Sequence, residues 1–264
     1  RGADYIIFVT AGLLIVIGLA ALASASSDLG EIKFGDAYYY LKHQVFYGLS
    51  FGLIGFYIGY ILNYRVYRKF AFLFLIASLG LLALVFSPLG ITSGGAQRWI
   101  AAGPITIQPS ELLKLFFIGY LAAWLSSTKK DRQKSFREGL LPFLLISGAI
   151  AILLLIQKST SAAIILMAAS LTIYFVSGAR YKYVAGTILI GIALFSAVVL
   201  ATPYRQERVL SFLHPETASQ DSTFQVDQAL ITIGSGGIFG VGYGQSTAKN
   251  YLPERIGDSI FAIV

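Results

Sequence analysis

The sequence predicts an all-α polytopic membrane protein, with about seven complete transmembrane helices and the start of an eighth. Three observations predict it. Only 12% of the 264 residues are charged while 56% are hydrophobic, and a soluble domain carries about 25% charged residues. The apolar residues form blocks long enough to cross a bilayer, which takes about 20 residues of helix. The basic residues cluster in alternate short loops, the pattern that sets membrane orientation. Each block should be helical, because backbone in hydrocarbon is satisfied only internally.

The spans are expected at 5–25, 43–62, 70–87, 108–126, 140–157, 161–177 and 184–200, with an eighth beginning near 259. Residues 6–23 with Ser24-Ala25-Ser26 resemble a signal peptide, but Arg1 is offset by Asp4 and the apolar stretch is long, so it reads as a first span. Loops 63–69 (Arg65, Arg68, Lys69), 127–139 (Lys129, Lys130, Arg132, Lys134, Arg137) and 178–183 (Arg180, Lys182) are expected to be cytoplasmic, with the N-terminus. The opposite set is 26–42 (Asp28, Glu31, Asp36), 88–107, a tight turn near Lys158, and 201–258. The whole of 1–264 reads as a single membrane-embedded domain, with 201–258 as a large extracytoplasmic loop between helices 7 and 8. Ending where an eighth span starts suggests a partial chain.

The net charge of +7 follows from the basic loops, so topology explains it and no nucleic-acid partner is expected. The absence of Cys excludes disulfides and thiolate chemistry, and His43 and His214 lack metal-ligand spacing.

Four motifs carry polar chemistry. In Gln108-Pro109-Ser110-Glu111-Leu112-Leu113-Lys114, Pro109 suits a first helical turn. Glu111 and Lys114 share a helix face there, either as a structural ion pair or as functional charges at the mouth of a span. In Gly94-Gly95-Ala96-Gln97-Arg98-Trp99-Ile100, Arg98 offers a planar fork for phosphate or a hydrogen bond that holds its own loop. Trp99 is a membrane anchor or a platform for a sugar or lipid. The run from Gly234 to Gly244 (Gly234-Ser235-Gly236-Gly237-Ile238-Phe239-Gly240-Val241-Gly242-Tyr243-Gly244) is either a hinge or a backbone cradle for an anion. In Tyr251-Leu252-Pro253-Glu254-Arg255-Ile256-Gly257-Asp258-Ser259, Asp258 is a helix cap or a general base. Before these, Val226, Leu230 and Ile233 recur at helical spacing, with Gln225, Gln228 and Thr232 on another face, which predicts a short amphipathic helix against the bundle or at the interface. Arg205, Arg208 and Lys249 add positive charge to the same loop.

Taken in order and spacing, these motifs resemble the SEDS family of bacterial envelope proteins (the FtsW, RodA and SpoVE group). The matching residues are Gly95-Ala96-Gln97-Arg98-Trp99-Ile100, Gln108-Pro109-Ser110-Glu111 with Lys114, Gln225 and Gln228 leading into Ile233-Gly234-Ser235-Gly236-Gly237, and Leu252-Pro253-Glu254 with Asp258. Gly240-Val241-Gly242-Tyr243-Gly244-Gln245-Ser246, with Lys249 and the Leu-Pro-Glu run, looks closer to the division branch than to the elongation branch. The resemblance implies a ten-helix fold, of which roughly the last two and a half helices would be missing here. It implies polymerisation of lipid II (an undecaprenyl-pyrophosphate-linked disaccharide peptide) into glycan strands at the outer face of the bacterial cytoplasmic membrane, at the division septum. Partners would be a class B penicillin-binding protein transpeptidase and other division proteins.

Asp258 matches the family's proposed catalytic acid. Arg98, Lys114, Arg205, Arg208 and Lys249 become candidates for holding the pyrophosphate, and Glu111 for orienting Lys114 or supporting the loop. Trp99, Gln225, Gln228, Ser235, Gly236 and Glu254 complete the candidate substrate site. A divalent cation (Mg or Mn) at the pyrophosphate is conceivable, although no dense carboxylate cluster offers a metal site. Two departures stand out. Ile256-Gly257-Asp258-Ser259 replaces the family's usual His-Thr-Asp-Phe, and Gln157-Lys158-Ser159-Thr160-Ser161-Ala162 lacks the acid usually found there. A lipid-linked precursor flippase and a non-catalytic scaffold for a penicillin-binding protein are the rival readings.

Overall fold

A computed structural model describes residues 4–93, 95–103, 105–126, 131–214, 220–237, 240–247, 249 and 251–263. Arg1, Gly94, Lys129, Lys130, Ile238 and Phe239, named above, lie outside the described residues. The chain is mostly helical and forms two compact units, residues 1–57 with 198–264, and residues 58–197.

Seven helices occupy the expected spans: α1 (Tyr5–Phe34), α2 (Tyr39–Ile61), α3 (Tyr64–Leu84), α4 (Pro109–Leu125), α5 (Phe136–Ile156), α6 (Thr160–Val176) and α7 (Tyr181–Leu200). Five of them are long and apolar enough to cross a membrane, while α4 and α6 have 17 residues each. The chain is a multi-pass membrane protein. Helices α2 and α7 bury no residue and turn large apolar side chains outward, as helices solvated by lipid do.

In the unit 58–197, the core is a set of ridges at helical spacing. Leu75 and Leu82 of α3, Leu113, Phe117 and Leu121 of α4, Phe143, Ile150 and Leu154 of α5, and Leu166 and Tyr174 of α6 are all buried in one cluster. Small residues let the helices approach. Ser78, Ser147 and Ser170 are buried among them, and a Cβ at Gly119 would run into the Tyr67 ring. Phe143 and Tyr174 stack with ring centroids 4.5 Å apart, and the Tyr174 hydroxyl donates to the Gln133 carbonyl at 3.0 Å.

Within this mostly helical chain, the segment 88–107 is not the plain loop that was expected. It is a three-stranded antiparallel sheet of β1 (Gly90–Ser93), β2 (Ala96–Ala102) and β3 (Ile105–Ile107), not an irregular loop. Glycines that would loosen a helix turn the chain here, as Gly95 and Gly103 have φ of 70° and 65°. A Cβ at Gly90 would strike the Val85 carbonyl oxygen, so the first strand can lie directly on the end of α3.

In the other unit, α1 runs to Phe34, so residues 26–34 are helix where a loop was expected. Asp28 and Glu31 do not end it. It stops at Gly35, whose left-handed φ of 67° lets its N–H return to the Glu31 carbonyl. A Cβ at Gly30 would lie 2.6 Å from the Asp36 carbonyl, so the chain folds back tightly against the helix end. The described residues of the segment 201–258 include two helices, α8 (Pro203–Leu213), which hydropathy did not reveal, and the expected amphipathic α9 (Gln220–Gly236). In α9 the polar face turns inward. Thr232 is buried and Gln225 and Gln228 are half-buried, while Val226, Leu230 and Ile233 are exposed. Near 259, where an eighth span was expected to begin, the described chain makes a short 3-10 turn, Ile260–Ala262.

Candidate functional site

Asp258 sits in a turn built by its neighbours. Glu254 takes a left-handed φ of 49°, and its carbonyl accepts the N–H of Gly257 at 3.0 Å and of Ser259 at 3.3 Å. The side chains of Arg255 and Ser259 are buried on either side, while Asp258 is exposed. Gln225 of α9 donates to the Ser259 hydroxyl at 3.2 Å, which fixes the residue after the acid. The cap reading of Asp258 finds no support among the described residues, because the following turn is capped at Ser259 without a side-chain hydrogen bond. An exposed carboxylate on a turn pinned at both ends is free to accept a proton from a bound molecule.

The Gly-rich run leading to this turn docks on α1. The Gly244 N–H donates to the Ser24 hydroxyl at 3.0 Å. Lys249 is buried and its ammonium contacts Asp28 at 2.8 Å and the Gly244 carbonyl at 3.0 Å. Arg255 donates to the Lys249 carbonyl at 3.2 Å. Asp28 and Arg255 were not singled out from the sequence as site residues, and α1 meets this loop through Ser24 and Asp28. The signal for Asp28 was an acid one helical turn beyond Ser24, at the end of an apolar block.

On α8, Arg205 donates to the Thr202 hydroxyl at 3.0 Å, and the Arg208 guanidinium lies 4.8 Å from the Tyr204 ring centre. Three apart, the two cations share a helix face. Ser235 is exposed and bonds back to the Thr232 carbonyl at 2.8 Å. Gly236 is half-buried, and Gln228 accepts the Thr232 hydroxyl at its carbonyl.

The unit 58–197 holds the remaining candidates. The register of β1 against β2 steps between Ile91 and Thr92, pairing Ile91 with Trp99 and Thr92 with Gln97. Arg98 is therefore the extra residue of a bulge, which aims its side chain off the sheet. Its guanidinium donates to the carbonyls of Gln157 at 3.3 Å and Lys158 at 2.6 Å, at the C-terminus of α5. A cation there also meets the negative end of the helix dipole. Lys158, at a left-handed φ of 57°, returns the contact by donating to the Gly95 carbonyl at 2.9 Å. Gln157 is buried and reaches the Leu82 carbonyl at 3.0 Å. Trp99 is half-buried beside this clip. On α4, Lys114 and Glu111 form an ion pair of 2.7 Å, both partly exposed.

Among the described residues, no group of three His, Asp or Glu side chains converges as a metal site.

Helical spans whose outer faces are apolar, with a Gly-rich segment docked on the first helix and the exposed acids Glu254 and Asp258 in the turn that follows, define a multi-pass membrane protein with a candidate site in its connecting segments. The chain belongs to the FtsW/RodA/SpoVE cell cycle protein family, which it matches over residues 4–264. It is 35% identical to a probable peptidoglycan glycosyltransferase FtsW of Geobacter sp. (strain M18), over 100% of this chain and 72% of that protein. It is also 35% identical to stage V sporulation protein E of Bacillus subtilis (strain 168), over 99% of this chain and 71% of that one. Among solved structures, a chain of a peptidoglycan synthase complex that coordinates polymerization and crosslinking superposes with a TM-score of 0.66 at 27% identity, covering 94% of this chain and 69% of that chain. A variant of the rod shape determining protein RodA of Thermus thermophilus superposes with a TM-score of 0.59 at 26% identity, covering 75% and 59%.

Proposed function

We propose that this chain is a peptidoglycan glycosyltransferase that polymerises lipid II at the outer face of the bacterial cytoplasmic membrane. The observation that carries the reading is the 35% identity, over 100% of this chain and 72% of the relative, to a protein named as a probable peptidoglycan glycosyltransferase. Asp258 accepts the proton of the acceptor sugar hydroxyl. The hydroxyl oxygen then forms the new glycosidic bond at the donor's anomeric carbon, with inversion. The bond to the lipid pyrophosphate breaks, and the pyrophosphate leaves with the electron pair. Arg205 and Arg208, in the same unit as Asp258, supply positive charge where the leaving group's negative charge develops. Within the unit 58–197, Glu111 holds the Lys114 ammonium by an ion pair of 2.7 Å, which leaves Lys114 a candidate phosphate contact of that unit. Arg98 serves the sheet clip instead, since its fork is directed at backbone carbonyls.

The N-terminus and the basic loops lie in the cytoplasm, and the segment 201–258 lies outside. A class B penicillin-binding protein is the partner, in keeping with the superposition on a synthase complex, and the division septum is the site of action. Reconstitution of the whole protein with its partner in liposomes carrying lipid II tests the reading. Glycan strands are expected. Movement of lipid II across the bilayer with no polymer formed would replace the reading with that of a flippase.

A further inference from the structure

The segment 240–259 reaches α1 through a small set of contacts, and Lys249 lies at their centre. Its side chain is only 5% exposed, whereas that of Asp28 is 42% exposed. The ammonium has three N–H donors. Two are spent, one on Asp28 and one on the Gly244 carbonyl. A buried ammonium without a carboxylate is costly, so Asp28 is the counter-charge that lets Lys249 sit at this contact. The backbone on both sides of Lys249 is also tied: Gly244 N–H to Ser24 on α1, and the Lys249 carbonyl to Arg255. Arg255 is in turn part of the 254–259 turn that exposes Asp258.

We propose that Asp28 and Lys249 form a latch that fixes the Asp258 turn to the first helix, so that both act as positioning residues and Lys249 is not a phosphate ligand. The proposal rests on the glycosyltransferase reading for its catalytic consequence, but the latch itself does not. Asp28 sets where the loop docks, Lys249 carries the attachment into the loop, and Arg255 passes it to the turn that holds the acid.

The test uses the whole protein with its partner in lipid nanodiscs, comparing Asp28→Asn, Asp28→Glu and Lys249→Met with wild type. Two readouts are taken: lipid II polymerisation resolved into kcat and KM, and amide hydrogen exchange. In Asp28→Asn, kcat is expected to fall by about tenfold or more, because misplacing a catalytic group by an ångström is costly, while KM stays within about twofold. Asp28→Glu keeps the carboxylate and restores kcat to within about threefold of wild type. Exchange across 244–256 speeds up by about tenfold in Asp28→Asn, while residues 141–156 keep their protection, which shows that the protein is folded. Asp36→Asn, at an exposed pair, changes neither readout.

Unchanged exchange at 244–256 in Asp28→Asn overturns the latch. Faster exchange with an unchanged kcat overturns its role in catalysis. A rise in KM for Lys249→Met with no effect of Asp28→Asn also overturns it and returns Lys249 to the phosphate. If the wild type makes no glycan, the activity reading fails, and the exchange result still decides whether the latch exists.

Discussion

The segments 87–107 and 240–259 are both glycine-rich connections, yet they are held by different forces. The first is a sheet. Its strands are paired through backbone ladders, Gly90 lies against the end of α3, and Arg98 and Lys158 exchange hydrogen bonds with carbonyls. The second has no described strand and is held by side chains, chiefly a buried Lys249–Asp28 pair and single hydrogen bonds from Gly244, Arg255 and Gln225. Many backbone bonds share a load, so the loss of one side chain is graded. A few side-chain contacts do not share it, so the loss of one is felt along the whole segment. The candidate acid lies on the second kind of segment.

Substitutions can break or sharpen this contrast. The largest effect is expected at Gly90→Val, whose side chain would strike the Val85 carbonyl and the Gln97 amide. Overpacking against fixed backbone at this point should cost about 3 kcal/mol or more, read as a lowered thermal unfolding midpoint in nanodiscs. Asp28→Asn should follow at about 3 kcal/mol, the lower end for breaking a buried pair, because Asp28 itself is partly exposed. Arg98→Ala should cost about 2 kcal/mol, since hydrogen bonds to charged groups are worth about 1.5–3 kcal/mol and the sheet ladders remain. Release of the whole sheet in Arg98→Ala, with little change in Asp28→Asn, would reverse the contrast.

The smallest effect is expected at Asp36→Asn. The Lys42 ammonium 2.7 Å away and the Tyr38 N–H hold the Asp36 carboxyl below its ordinary value of 3.8. A depressed folded-state value means that its contribution is present above 3.8 and is lost as pH falls through the folded-state value. Because the pair is exposed to water and salt, unfolding midpoints of wild type and variant at neutral pH should coincide.

Much of this was legible in the sequence. Seven apolar blocks gave seven helices because hydrocarbon demands internal hydrogen bonding, and the helical spacing of Val226, Leu230 and Ile233 gave α9. Its facing was not foreseen, because apolar residues of a membrane protein point to lipid as readily as to protein. The sheet was missed because a segment dense in Gly and Pro was read as a loop, although Gly94-Gly95 and Gly103-Pro104 separate short alternating runs in the manner of hairpin turns. The extension of α1 to Phe34 was missed because Asp28 and Glu31 were read as loop acids. Asp28 meets its partner more than two hundred residues later, and no local pattern announces a pairing across that distance. The exposure of Asp258 also depends on long-range contacts, since it follows from the burial of Arg255 and Ser259.

The central claim is that the exposed acid of the pinned turn performs the proton transfer of glycan polymerisation. Its most direct test is the rate of lipid II polymerisation by Asp258→Asn in the whole, partner-bound protein, with hydrogen exchange confirming that the turn 254–259 is intact. A general base contributes about 10²–10⁴-fold, so the rate should fall by about 10²-fold or more with exchange unchanged. Glycan synthesis near the wild-type rate, on an intact turn, would contradict the assignment.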